Sequence, residues 1–423
     1  MSTGMEGLRT DQAPPLAIPG AFFLTAPMAL VAAGVLALVA GPDGLSTRWS
    51  PPILAITHLF TLGYLGSIML GAMYQVVPVV AGVPVPGARA AHAVLAGWIG
   101  GVTALVAAFL TGDPHGFVVA AALLAAAALG FALPVAVALA HAPSRTPPVL
   151  GMKVAMIAFA LVVTVGLALA GRRAGLPLPA VDFLALVDGH AAVGTLVWVG
   201  GLLSAVSWQV VPMFYLAPAP PTWSTRPAVV LIATTLAAIP GVVLLGGSPL
   251  AVAVAAVPAL GVVWVVHPAV TIRAIVGRKR KRADYSLRFW LAGLAFAGLA
   301  AGLVPVAWAW EPRGVLLLGW TAAFGWAGLV THGMLSRIVP FLVWFHRFSP
   351  LVGRVRVPSM RELLPESRLG PALALHGATV VVGLLGIATG IAGILGVAAV
   401  LLIATGVALE VNLARTLLRR PAG

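Results

Sequence analysis

Twelve times along this chain the sequence runs apolar for about the 20 residues a helix needs to cross hydrocarbon, and each run is closed by charge, proline or glycine. Read between those punctuation points, spans are expected at 17–41, 52–80, 89–111, 116–141, 148–170 and 181–215. The second half adds 227–246, 249–275, 286–306, 314–345, 368–389 and 391–414. The second, sixth and tenth exceed a minimal span, which predicts tilt or a protruding end. No soluble core could hide this surface: 61% of the 423 residues are hydrophobic and 9% are charged, against roughly a quarter charged in ordinary globular chains. The expected class is therefore an all-α integral membrane protein whose main partner is the lipid bilayer. Its 48 glycines and 34 prolines suit packed transmembrane helices. The absence of cysteine excludes disulfides, thiolate metal sites and cysteine nucleophiles. The first fifteen residues are polar and lack a basic-then-apolar layout, so no cleaved leader is expected.

Three of the spans end alike, on Gln75-Val76-Val77-Pro78, Gln209-Val210-Val211-Pro212 and Arg337-Ile338-Val339-Pro340, 134 and 128 residues apart. The first two also align further back, Gly66 against Gly200 and Tyr74 against Trp208. This reads as a single polytopic domain over 1–423 built from three pseudo-repeats of four helices, at about 15–141, 147–282 and 285–418. An even number of spans per unit makes the repeats parallel, and a pseudo-threefold ring is the simplest arrangement. The second, sixth and tenth helices carry most of the polar residues and are expected innermost.

A net charge of +14 raises the question of nucleic acid, but its distribution argues for membrane orientation. Loops on the side of the termini hold 19 basic residues and the opposite side 4. Both termini are therefore expected in the cytoplasm, in a bacterial inner membrane. The Arg278-Lys279-Arg280-Lys281-Arg282 run is a juxtamembrane anchor suited to anionic lipid. No nucleic-acid partner is expected.

Ionisable side chains inside a bilayer are costly and usually used. Each repeat helix carries one histidine: His58, His190 and His332. His58 and His190 lie 20 and 22 residues before their proline, but His332 only 8, which sets it roughly 18 Å nearer the cytoplasm than His58. The antiparallel eleventh helix brings His376 to the depth of His332, and His267 on the eighth belongs with them. The expectation is an outer histidine layer (His58, His190) and an inner one (His332, His376, His267). Neutral imidazole is the commonest metal or haem ligand. Taken singly, each could equally be a hydrogen-bonded packing residue. Asp182 and Asp188 lie just outside His190. His92, His115, His141 and His346 fall at span ends. Gln75, Gln209 and Arg337 occupy equivalent places and suggest a polar collar, with Glu410 at a suitable depth to balance Arg337.

Twelve spans in three quasi-repeats, with Thr57-His58-Leu59-Phe60-Thr61-Leu62-Gly63, Ser207-Trp208-Gln209-Val210-Val211-Pro212-Met213-Phe214 and Thr331-His332-Gly333-Met334-Leu335, resemble subunit I of the haem-copper oxidase superfamily. They look most like a short, divergent branch near the NnrS haem proteins. The resemblance implies a haem-copper-oxidase-like fold, haem (b-type) or copper as cofactor, and a respiratory, redox or nitric-oxide-related role. By it, His58 matches the second-helix haem ligand and His190, approximately, the sixth-helix copper ligand; the depth layers, not the resemblance, add His332 and His376 as further cofactor ligands and His190 and His267 as metal candidates. The departures are plain. The seventh helix has no histidine pair, the residue one turn after His190 is Gly194, and Trp320 stands at the depth of His58 on the tenth helix. A complete oxygen- or nitric-oxide-reducing centre is therefore not expected. Two other readings compete: a proton- or metal-coupled transporter or channel using the same histidines, and an assembly partner of respiratory-complex subunits. No nucleotide loop or nucleophile motif is visible.

Overall fold

The computed structural model describes residues 10–178, 180–279 and 283–421. Among them are twelve helices long and apolar enough to cross a membrane, and no strand. They are α1 (Ala17–Gly44), α2 (Pro51–Ala81), α3 (Ala88–Thr111), α4 (Pro114–Ala140), α5 (Pro147–Arg173) and α6 (Phe183–Tyr215). The remainder are α7 (Thr222–Leu244), α8 (Pro249–Val276), α9 (Tyr285–Ala309), α10 (Arg313–Leu351), α11 (Glu366–Thr389) and α12 (Ala392–Leu417). The protein is an integral membrane protein of twelve candidate spans.

The polar punctuation works because it caps. Ser50, Asp113, Asp182, Ser248 and Asp284 each accept a backbone N–H in the first turn of α2, α4, α6, α8 and α9. Pro51, Pro114 and Pro249 follow their caps directly, where a missing N–H is harmless. Two ends differ from expectation by more than three residues. Helix α7 starts at Thr222 rather than at Pro227, because Arg226 sits within its first turns with its long stem free to reach the interface. Helix α10 continues past 345 to Leu351, with Ser349 bonding the Phe345 carbonyl. Of the basic residues used for orientation, Arg9, Arg280, Lys281 and Arg282 lie outside the described residues.

Two compact units partition the chain: Met1–Ala13 with Met73–Lys281, and Pro14–Ala72 with Arg282–Gly423. In the first, α5 and α6 approach closely where Gly151 faces Ala205; a Cβ on Gly151 would come within 2.6 Å of the Ala205 methyl. Phe159 of α5 packs on Trp198 of α6 at 4.8 Å and edge-on to Phe131 of α4 at 5.4 Å. In the second, α1 lies along α12, the first and last spans, with Gly34 against Ile403 and Gly406 against Val31. Such small-residue contacts let backbones approach where no hydrophobic force distinguishes helix from lipid.

Three helices stand apart in burial. The apolar windows of α2, α6 and α10 are 61%, 78% and 67% buried, and those of the other nine 22–39%. The same three carry eight-residue π-helical stretches: Leu59–Gly66, Val193–Gly200 and Thr321–Gly328. These begin 134 and 128 residues apart, the separations of the proline motifs. Each ends aromatic-x-Gly: Tyr64-Leu65-Gly66, Trp198-Val199-Gly200 and Trp326-Ala327-Gly328. Long π stretches are rare and cluster at functional sites.

Candidate functional site

Within the second unit, α10 and α11 bring two imidazoles together. His332 and His376 are 1% and 2% exposed, and their Nδ1 atoms lie 3.1 Å apart. Phe289 of α9 stacks on His332, ring centroids 4.3 Å apart and planes 26° from parallel. Leu329 and Ala372, both buried, pack with Phe289 beside them.

The hydrogen bonds assign the protons. His376 Nε2 lies 3.1 Å from the Phe324 carbonyl, which can only accept, so Nε2 carries the hydrogen. With that ring neutral, His376 Nδ1 is a lone pair and must accept from His332 Nδ1–H. His332 Nε2 is then a bare lone pair, and it is buried with no hydrogen-bond partner among the described residues. An imidazole whose Nδ1–H is anchored and whose Nε2 is left bare is the arrangement that presents a nitrogen to a metal.

Local structure explains the anchor. Phe324 sits inside the α10 π stretch, whose residues pack tightly; Gly328 closes that stretch beneath His376. A Cβ on Gly328 would approach His376 Nε2 to 3.3 Å. One turn above, Trp320 donates its Nε1–H to the Val380 carbonyl at 3.0 Å, tying α10 to α11 a second time. Thr379, one turn along α11 from His376, meets Thr405 of α12 at 2.9 Å.

The remaining candidates lie elsewhere. His58, half-buried, donates Nδ1–H to the Leu54 carbonyl at 2.7 Å. Phe60, two residues on, contacts Phe324 at 4.4 Å, so His58 lies at the level of the outer half of the α10 π stretch. His332 is eight residues beyond Phe324, about 12 Å further along the helix. The two rings therefore cannot take opposite faces of one iron. In the first unit, His190 is half-buried beside α5, where a Cβ on Gly166 would approach its Cε1 to 3.2 Å. Asp182 caps α6. His267 Nε2 bonds Ser207 Oγ at 2.7 Å, while Ser207 O–H donates to the Ser204 carbonyl. His267 is thus a second buried imidazole with its proton on the bonded nitrogen, leaving Nδ1 without a partner among the described residues. His92, His115 and His141 are exposed.

Of the expected collar, Gln75 is buried and Gln209 half-buried. Arg337 forms an ion pair with Asp284 at 3.3 Å, and Asp284 also caps α9 through Leu287 N–H. Asp284 thus takes the place expected of Glu410, whose Oε2 is buried with no hydrogen-bond partner among the described residues. Sequence reasoning missed Asp284 because it reads as a loop residue beside a basic run; only the turn into α9 sets it against α10.

A haem or metal must find nitrogen lone pairs here. His332 would offer one, at Nε2. His376 supplies none, since Nδ1 accepts from His332 and Nε2 donates to Phe324. No three His, Asp or Glu side chains converge among the described residues. The donor set therefore suits a single-histidine attachment and not a three-histidine copper centre. The sequence matches no protein-family model and no characterised protein.

Proposed function

We propose that the protein is a haem-copper-oxidase-like membrane protein without a complete binuclear centre, which binds haem, or copper, through intramembrane histidines. The bare, buried Nε2 of His332, oriented through His376 and the Phe324 carbonyl, carries this reading. Haem, when bound, would supply redox or gas-binding chemistry. The chain's own part is to hold His332 in one tautomer, cover its face with Phe289 and exclude water. The shared register of the π stretches and proline motifs supports three four-helix repeats with α2, α6 and α10 equivalent. The charge asymmetry supports cytoplasmic termini in a bacterial inner membrane. The resemblance supports respiratory, redox or nitric-oxide-related physiology, alongside respiratory-complex subunits.

The test is the visible spectrum of detergent-purified protein, paired with metal analysis. Haem absorbance that disappears in His332→Ala and persists in His92→Ala is the expected result. A colourless, metal-free protein would sink the reading. One observation favours a second reading, a proton-coupled transporter: a proton taken up at the bare His332 Nε2 would let the Nδ1 proton pass to His376, so the pair can relay charge. Colourless protein that moves protons across vesicles, and stops doing so in His376→Ala, would favour it.

A further inference from the structure

At the ends of α1 and α11, where α10 and α12 begin, the second unit encloses a cavity of about 460 Å³, within the range that holds small ligands. Its wall is built by a break in α1. Gly41 adopts φ 64° and ψ −175°, a conformation only glycine takes easily, and it turns Pro42 and Asp43 out of the helix line. Opposite stands Arg313, at the start of α10. Both side chains line the cavity and both are exposed.

These opposite charges do not neutralise each other: among the described residues neither forms an ion pair. Arg313 makes one long hydrogen bond, Nη1 to the Ala388 carbonyl at 3.4 Å, and lies over Gly390 with most of its five donors unused. Glu311 pairs instead with Arg48 at 3.7 Å. Below the charges the lining is apolar, with Leu316, Ile387 and Leu395. Trp310 borders it, and Trp310 and Trp308 are both exposed, as tryptophans are at the level of lipid headgroups.

We propose that this cavity seats one zwitterionic phospholipid of the phosphoethanolamine class. Arg313 takes the phosphate, Asp43 takes the ammonium, and Leu316, Ile387 and Leu395 meet the first methylenes of the acyl chains. A purely anionic headgroup satisfies Arg313 and meets repulsion from Asp43, so the pair selects for a headgroup carrying both signs. The proposal does not depend on haem.

The test uses the full chain in detergent, with native mass spectrometry of added phosphatidylethanolamine, phosphatidylglycerol and glycerophosphoethanolamine. A charge-assisted bond corresponds to about a tenfold change in affinity. Phosphatidylethanolamine is expected to bind about tenfold more tightly than phosphatidylglycerol, and the headgroup alone more weakly than either. Asp43→Asn should abolish the preference, and Arg313→Gln should weaken both lipids. Equal retention of the two lipids by the unaltered protein, a comparison that needs no variant to fold, would overturn the proposal. So would equal binding of the free headgroup, or well-folded variants that keep the preference.

Discussion

His332 and His376 are joined Nδ1 to Nδ1 at 3.1 Å, and this bond, with the one from His376 to Phe324, leaves one bare nitrogen on the pair, His332 Nε2. His376 thus acts as a positioning residue for His332. Replacing such a partner of a ligating histidine typically lowers ligand affinity 10–100-fold. His376→Ala should therefore weaken haem or metal binding by about that factor, with a shifted absorbance spectrum in what remains. His376→Ala protein that titrates with added haem as the unaltered protein does would contradict the assignment.

Gly383 faces the indole of Trp320 so closely that a Cβ there would overlap the ring. Gly383→Ala should lower stability by about 1–3 kcal/mol, because neither the helix backbone nor a hydrogen-bonded indole yields easily. Gly328→Ala is milder, since the added methyl needs His376 to move only a few tenths of an ångström. Under the proposed cofactor binding at His332, its effect should appear in the visible spectrum more than in the melting temperature. Thermal melts in detergent of both variants check the order.

Arg337 and Asp284 are 13% and 7% exposed, so breaking their ion pair removes a counter-charge from a largely buried guanidinium. Asp284→Asn keeps an acceptor for Leu287 N–H and should still cost up to about 3 kcal/mol. Asp284→Ala also loses the cap of α9 and should cost about 1 kcal/mol more. The double variant Arg337→Met, Asp284→Asn should recover part of the loss. Arg337→Met alone completes the cycle, and a double-variant loss equal to the sum of the Arg337→Met and Asp284→Asn losses would show that the pair is not coupled.

Between α10 and α11, Ser359 and Glu362 form a capping box on the turn Met360–Leu363, with Glu362 accepting Ser359 N–H at 2.6 Å. That backbone bond, then the bond to the Ser359 side chain, holds the Glu362 carboxyl below its ordinary value. A carboxyl depressed in the folded state stabilises the turn above its unfolded pKa and loses that contribution as pH falls through the depressed value. Amide protection in this turn, taken relative to the intrinsic exchange rate at each pH, should fall as the medium is acidified below the ordinary carboxylate range. In Glu362→Gln it should show no such acid dependence.

Much of this architecture was written in the order of residues. Twelve apolar runs, the caps that end them and the burial of α2, α6 and α10 follow from hydropathy, from Ser and Asp before proline, and from where polar residues collect. The spacing of the three proline motifs was legible as well, and the aromatic-x-Gly triplets at 64–66, 198–200 and 326–328 keep the same spacing. That His376 shares the depth of His332 could be counted along two antiparallel helices, because rise per residue is constant.

Depth is one coordinate, however, and contact needs the other two. Which helices adjoin, and which way each is turned, depends on small-residue packing such as Gly293 on Val330 and Gly333 on Phe289, where the backbone approach is set by both partners at once. Only that packing selected His376 for His332, Ser207 for His267 and Asp284 for Arg337. The protons followed in turn, since a carbonyl acceptor at Phe324 had to be in place before either imidazole had a defined tautomer. Sequence determines what each helix can offer to a neighbour; tertiary structure decides which neighbour receives it.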